Sequence, residues 1–441
     1  MRLREVLGVL SKSSPYAVST ENKYPEPQNQ LDQIKMDLYV TMPIEHRVEE
    51  VISLLNSAPK QVFFLCGSSG DGKSELLVQA KNKAQAHVRF HFDATHSFDP
   101  HETAVQTLDK LFDEFEQGEF SLVVGINVGM LGNYEQEGHN ALFKSAITAY
   151  QQDKTQVIGF TFVNFEDYPK FQITENSIQA DFVRKILTRI TSPDSMLFDI
   201  FQQEEPASLD TESKRIFVNY RLLCLPEVKD VVVELLFKAR LVRDQFLTAR
   251  SLLDFVYQLL TGPGYLFDNL FSGGDNELAD KLVEFDPALL RTKAIDRFLM
   301  AADLKLENEQ FDAFCDEVAE KYDLTQLDCS KSYIRLFYIL KQSHLTANFP
   351  QQFQQDFEQR LLTDYLEVYR LHAFYDDTPT CREKLKAFYN RQLISALRLF
   401  INRNAPQLSN KQFLVAQLDT YKIAAQLDLK PDIAAIKANK I

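Results

Sequence analysis

Cys66-Gly67-Ser68-Ser69-Gly70-Asp71-Gly72-Lys73-Ser74-Glu75 is the stretch that decides how this chain is read. Gly67, Gly72, Lys73 and Ser74 complete the pattern G-x-x-x-x-G-K-[ST]. The preceding run, Val62-Phe63-Phe64-Leu65, is apolar and favours a strand. The following run, Glu75 to Lys81, suits a helix. Strand, glycine loop and helix form the context that makes the pattern a phosphate site. Glycines let backbone N–H groups close around a phosphate, and the helix N-terminus adds partial positive charge there. On this reading Gly67, Ser68, Ser69, Gly70, Asp71, Gly72, Lys73, Ser74 and Glu75 line bound ATP. Lys73 reaches the β- and γ-phosphates, and the Ser74 hydroxyl goes to Mg²⁺. The plainer alternative is a Gly/Ser connection without a ligand.

Outward from the loop, apolar strands alternate with helical runs. A helix extends to about residue 84, and Val88 to Phe92 alternates and ends in Asp93. A helix with Leu108, Leu111, Phe112 and Phe115 follows. The strand Phe120 to Ile126 ends in Asn127 and leads through a polar loop to a helix at about 138–151. The strand Val157 to Val163 ends in Asn164-Phe165-Glu166-Asp167-Tyr168-Pro169. Such alternation predicts a parallel sheet covered on both faces, with ligand at the carboxyl ends of the strands. Upstream, Leu3, Val6, Leu7 and Leu10 share one helical face, 21–36 reads as a loop, Leu38 to Val40 as a small strand, and Ile44 to Leu55 as a helix. Strand signals stop at about 178, and 276–441 is helical in pattern. The expected organisation is an N-terminal helix and linker (1–55), an α/β nucleotide-binding domain (56–177), an all-α lid (178–275) and a C-terminal helical region (276–441).

Hydrolysis needs an acid near Mg²⁺, a group that orients water and a cation for phosphate charge. No stretch shows four apolar residues followed by Asp-Glu, the usual Walker B pattern. Asp93, at a strand end, is the first candidate for the magnesium-side carboxylate, against a turn or cap role. Glu166 and Asp167 are the second. Asn127 resembles the sensor-1 position of AAA+ ATPases, where a polar side chain reads the γ-phosphate; otherwise it caps the strand exit. Arg250 lies where an AAA+ lid presents its sensor-2 arginine, with Arg240, Arg243 and Arg291 as alternatives, against solvated helix residues. His91, His96, His101 and His139 fit no metal-binding spacing.

The net charge of −14 argues against a surface that grips nucleic acid by itself. The five cysteines are scattered, without C-x-x-C spacing, which disfavours a disulfide framework or zinc site and suits a reducing cytoplasm. No run approaches 18 apolar residues, so no membrane span is expected, and the first residues do not make a signal peptide.

Several segments together resemble one family: the opening MRLREVLGVLSKSSPYAV, then GSSGDGKSE, DATHSFDP, GINVGML, FVNFEDYPKF and LTARSLLDFVYQLL, in that order. They are similar to DptF (also DndF) proteins of DNA phosphorothioation-dependent restriction, over nearly the whole chain. The resemblance implies an AAA+-type P-loop ATPase in a bacterial defence system that attacks DNA lacking backbone sulfur. It implies DptG-like and DptH-like partner subunits and double-stranded DNA as target; a homo-oligomer is a separate state to test. Gly67, Gly72, Lys73 and Ser74 carry over position by position, and Asn127 and Arg250 as sensors. The missing Asp-Glu pair departs from standard AAA+ enzymes. That leaves two other readings open: a nucleotide-binding scaffold without hydrolysis, and a STAND- or initiator-like ATPase switch.

Overall fold

The chain begins with α1 (Leu3–Leu7), α2 (Gln30–Asp37) and α3 (Pro43–Ser57). The computed structural model describes residues 2–13, 29–58, 60–95, 102–153, 157–174, 178–243, 247–324, 327, 329–358, 360–409 and 411–432. These divide into two compact units, one within 1–171 and 180–357, the other within 172–179 and 358–441.

In the larger unit, β1 (Val62–Cys66) is buried throughout. It is followed by α4 (Lys73–Lys83), β2 (Val88–His91), α5 (Ala104–Gln117), β3 (Ser121–Ile126), α6 (Val128–Glu137), α7 (Ala141–Asp153) and β4 (Phe160–Asn164). The four strands form a parallel sheet in the order β2-β3-β1-β4. Side chains alternate across a strand, so β1 supplies two cores. Val62, Phe64 and Cys66 face Leu108, Phe112 and Phe143 of α5 and α7. Phe63 and Leu65 face Val48 and Val51 of α3 and Leu76 and Leu77 of α4. The Phe112 and Phe143 rings stack at 3.8 Å. Each such side chain taken fully out of water stabilises the sheet by roughly 1.5–3 kcal/mol.

The chain crosses from β1 to β2 on one side and from β3 over β1 to β4 on the other. Connections that diverge in this way open a crevice at the carboxyl ends beside β1. The glycine loop leaves β1 at that point.

A helical region completes this unit, beginning with α8 (Asp181–Thr191), α9 (Met196–Gln203), α10 (Thr211–Cys224), α11 (Pro226–Arg243) and α12 (Ala249–Thr261). Leu3, Val6 and Leu7 of α1 belong to its core. The Leu3 amide donates to Glu204 Oε1 at 2.7 Å, and the Lys12 amide donates to Asp254 Oδ1 on α12 at 2.8 Å. Farther on, Arg335 donates to Asp268 at 2.8 Å and to Asp286 at 2.7 Å, tying three segments of this region together.

Four expectations are corrected. Of the stretch 21–36, read as a loop, 30–36 are helical: they belong to α2, whose start Asn29 caps by accepting from the Asp32 amide. Leu38 to Val40 is not a strand: the Leu38 amide still donates to Ile34 O, which closes α2, and an extended connection then runs to α3. The stretch after Asn127 is not a polar loop but α6, because Met130, Leu131 and Tyr134 recur on one buried face. The C-terminal region is not helical throughout. After helices at Pro379–Ala387 and Ile394–Ile401, the smaller unit carries an antiparallel hairpin, Gln412–Leu418 with Tyr421–Gln426. Asp419 turns the chain at φ 49°, a left-handed conformation that Asp tolerates and that two-residue hairpin turns need.

Candidate functional site

The sheet register builds the site. Cys66 lies beside Ile126 of β3 and Asn164 of β4. The next residue on each strand, Gly67, Asn127 and Phe165, therefore shares the carboxyl edge. The Gly67 amide donates to Ile126 O at 3.2 Å. A Cβ on Gly67 would stand 2.9 Å from Phe165 Cδ2, so the loop leaves β1 against that ring only because it has no side chain there. Gly70 at φ 84° and Gly72 at φ 100° take the left-handed turns that bring the chain round into α4.

Lys73 is the first residue of α4, and its Nζ donates to Gly67 O at 2.8 Å and Ser68 O at 2.7 Å. Burial pushes its pKa down, while the charges of Asp71 and Asp93 push it up. Asp71 is buried in the loop. Its Oδ2 accepts from the Ser68 amide at 2.7 Å, and its Oδ1 accepts from Lys170 Nζ at 2.7 Å. Ser74 and Glu75 are half-buried in the first turn of α4, and Ser69 is exposed. The unpaired amides of a helix N-terminus and its dipole favour an anion at this place.

Asp93 lies two residues past the end of β2, which is separated from β1 by β3. Its Oδ1 accepts from the Thr95 amide at 2.9 Å and Thr95 Oγ1 at 2.6 Å, so it serves a turn while its charge acts on Lys73. Ala94 N donates to Gly125 O at 2.9 Å, which fixes the turn to β3. Asn127 caps α6, its Oδ1 accepting from the Met130 amide at 2.6 Å. The Asn127 amide nitrogen makes no hydrogen bond among the described residues. Glu166 and Asp167 are exposed on a 3₁₀ turn after β4, across β1 from Asp93. Burial pushes the Cys66 thiol up to about 12, and these two carboxylates add to the rise. Of the four histidines, His91 is buried on β2, where burial pushes its pKa down; His96 and His101 lie outside the described residues.

From the helical region, the start of α12 reaches the loop. A Cβ on Gly70 would be 3.2 Å from Thr248 Oγ1 and 3.6 Å from Arg250 Cβ. Thr248 caps α12 through the Ser251 amide at 3.0 Å, and Arg250 is exposed in its first turn. Arg243 pairs with Glu284, and Arg291 with Asp296 at 3.3 Å. Arg250 thus lies beside the loop.

Sequence reasoning missed Lys170, Phe165 and Thr248. The Asp71–Lys170 pair spans 99 positions, and no local pattern announces it. Thr248 carried a signal: a threonine just before an apolar helical run is a cap signature.

A comparison with protein-family models finds no match, and a comparison with curated proteins finds none. No helix among the described residues is long and apolar enough to cross a membrane. Among those residues no group of three or more His, Cys, Asp or Glu is placed to hold a metal. Mg²⁺ at a nucleotide needs less, because it is held by one or two protein ligands, substrate phosphates and waters. The Ser74 hydroxyl and the Asp93 carboxylate fit that requirement in donor type.

Proposed function

We propose that the chain is an AAA+-like P-loop ATPase that binds ATP with Mg²⁺ at Gly67 to Glu75. One observation carries this reading: Lys73 opens α4 at the carboxyl edge of the parallel sheet, and the start of α12 lies against Gly70 in the same loop. On binding, Lys73 Nζ exchanges the Gly67 and Ser68 carbonyls for phosphate oxygens. The loop amides and α4 hold the β-phosphate. Ser74 and Asp93 would hold Mg²⁺, which would neutralise phosphate charge when bound. Asn127 offers its amide N–H to the γ-phosphate or the attacking water. Arg250 supplies positive charge to the transferred group.

The order of the sequence motifs supports a place for this ATPase in a DptF-type restriction complex acting on DNA that lacks phosphorothioate. DptG-like and DptH-like subunits would be its partners and double-stranded DNA its target. The deciding experiment is ATP turnover by the purified chain, alone and with DNA and partners, for wild type and Lys73→Ala. The reading expects Mg²⁺-dependent turnover that Lys73→Ala abolishes. Equal phosphate release by the two would end it.

A scaffold that binds ATP without hydrolysing it is the second reading. Ala94 favours it, since it stands where a Walker B glutamate would follow Asp93. Tight, Lys73-dependent ATP binding with no turnover under any of these conditions would select it.

A further inference from the structure

Two lysines brace the glycine loop, and only Lys73 belongs to its motif. The second, Lys170, lies past the Tyr168-Pro169 turn that follows β4. Its ammonium is 2.7 Å from Asp71 Oδ1, and the two side chains are 11% and 9% exposed. The same ammonium lies 5.8 Å from the centroid of the Phe182 ring on α8. Lys170 therefore has one strong partner, inside the loop.

Asp71 presents a difficulty for a loop that takes phosphates. It is an anion among amides expected to receive an anion. Its Oδ2 already takes the Ser68 N–H, one of the donors a phosphate would use. Charge repulsion in a partly buried site is far stronger than in water, so an unneutralised Asp71 would oppose each added phosphate charge. Removing Lys170 would leave that buried carboxylate without its ion-pair partner.

We propose that Lys170 is a positioning residue of the phosphate loop: it neutralises Asp71 and holds it at the Ser68 side of the loop, so that the loop accepts phosphate charge. The inference rests on the nucleotide reading above. It makes affinity depend on Lys170 more steeply as the number of phosphates rises, which a purely structural role would not do.

The test measures AMP, ADP and ATP dissociation constants by calorimetry on the full chain, for wild type, Lys170→Met, Asp71→Asn, the double variant and Lys73→Ala. Thermal unfolding checks that each is folded. Lys170→Met should weaken ATP about tenfold, ADP less and AMP not at all. Adding Asp71→Asn should restore ATP affinity to about that of Asp71→Asn alone. An unchanged ATP affinity in Lys170→Met, an equal loss for all three nucleotides, or a loss that Asp71→Asn does not relieve would each overturn the proposal. Should Lys170→Met not fold, Asp71→Asn alone decides: ATP binding at least as tight as wild type supports the proposal, and weaker binding overturns it. Failure of the nucleotide reading looks different, because wild type and Lys73→Ala would then bind ATP equally or not at all.

Discussion

Gly70 and Thr248 meet where the helical region touches the sheet domain: a Cβ on Gly70 would lie 3.2 Å from the Thr248 hydroxyl, at a φ of 84°. Gly70→Ala thus meets both backbone strain and a tight neighbour. Strain of this kind costs about 1–3 kcal/mol. The expected result is a folded protein whose nucleotide affinity falls, read by calorimetry. Wild-type affinity in Gly70→Ala would show that the contact does not matter to binding.

Asp93 combines a turn role with an expected magnesium role, and Asp93→Asn separates them. Asparagine keeps an acceptor for Thr95, so the melting temperature should change little. Turnover should fall about 100-fold while ATP binding persists. A large loss of stability with normal turnover would assign Asp93 to the turn alone.

Gly125→Ala should disturb the same turn from beneath. Its Cβ would sit 2.4 Å from Phe92 O and 2.6 Å from Leu77 Cδ1. Overpacking of this kind costs about 1–3 kcal/mol or more. Urea denaturation should show the loss, and turnover should fall with it, because Phe92 leads directly into Asp93.

Glu317 gives the helical region a pH dependence at the acid end. Burial opposes its ionisation, but Lys321 Nζ at 2.6 Å and the Ala347 and Thr346 amides at 2.7 and 2.9 Å outweigh it and hold its pKa at about 2. A depressed carboxylate stabilises fully above its unfolded value of 4.5 and loses that contribution as pH falls towards about 2. Glu317→Gln should be less stable than wild type at neutral pH, and the two should converge as pH falls through that window. Parallel stability curves from pH 5 to 2 would contradict this.

Arg335→Ala should destabilise the chain by about 3–5 kcal/mol, since it strands Asp268 and the nearly buried Asp286. Calorimetric unfolding measures it. Because the loss is structural, ATP affinity below the melting transition should stay near wild type.

The parts of the fold legible in the sequence were those with local causes. Val62 to Ser74 displays a buried strand, a glycine turn and a helix start within thirteen neighbouring residues. Strands ending in Asp93, Asn127 and Asn164 showed themselves by apolar runs closed by polar residues. The strand order was not written locally, because β3 reaches β1 through register rather than through adjacent sequence. The same holds for Lys170, whose partner is 99 residues away. The hairpin at Gln412–Gln426 was missed because its strands do not alternate: Phe413 to Ala416 and Ile423 to Ala425 are unbroken apolar runs, which erase the period-2 signal. Asn127 shows the opposite limit: sequence offered a cap or a γ-phosphate contact, and the geometry shows the cap, made by the side-chain oxygen.

The attachment of Lys12 to Asp254 has a mechanical consequence. Thr248 and Asp254 are about 9 Å apart along one rigid helix. The start of that helix lies against Gly70, and Asp254, near its middle, accepts from the Lys12 amide. A tilt imposed at the loop end should therefore reach Lys12 through the helix alone. A spectroscopic probe placed at Ser11 or Lys12 should then respond when nucleotide binds a loop more than fifty residues away in sequence.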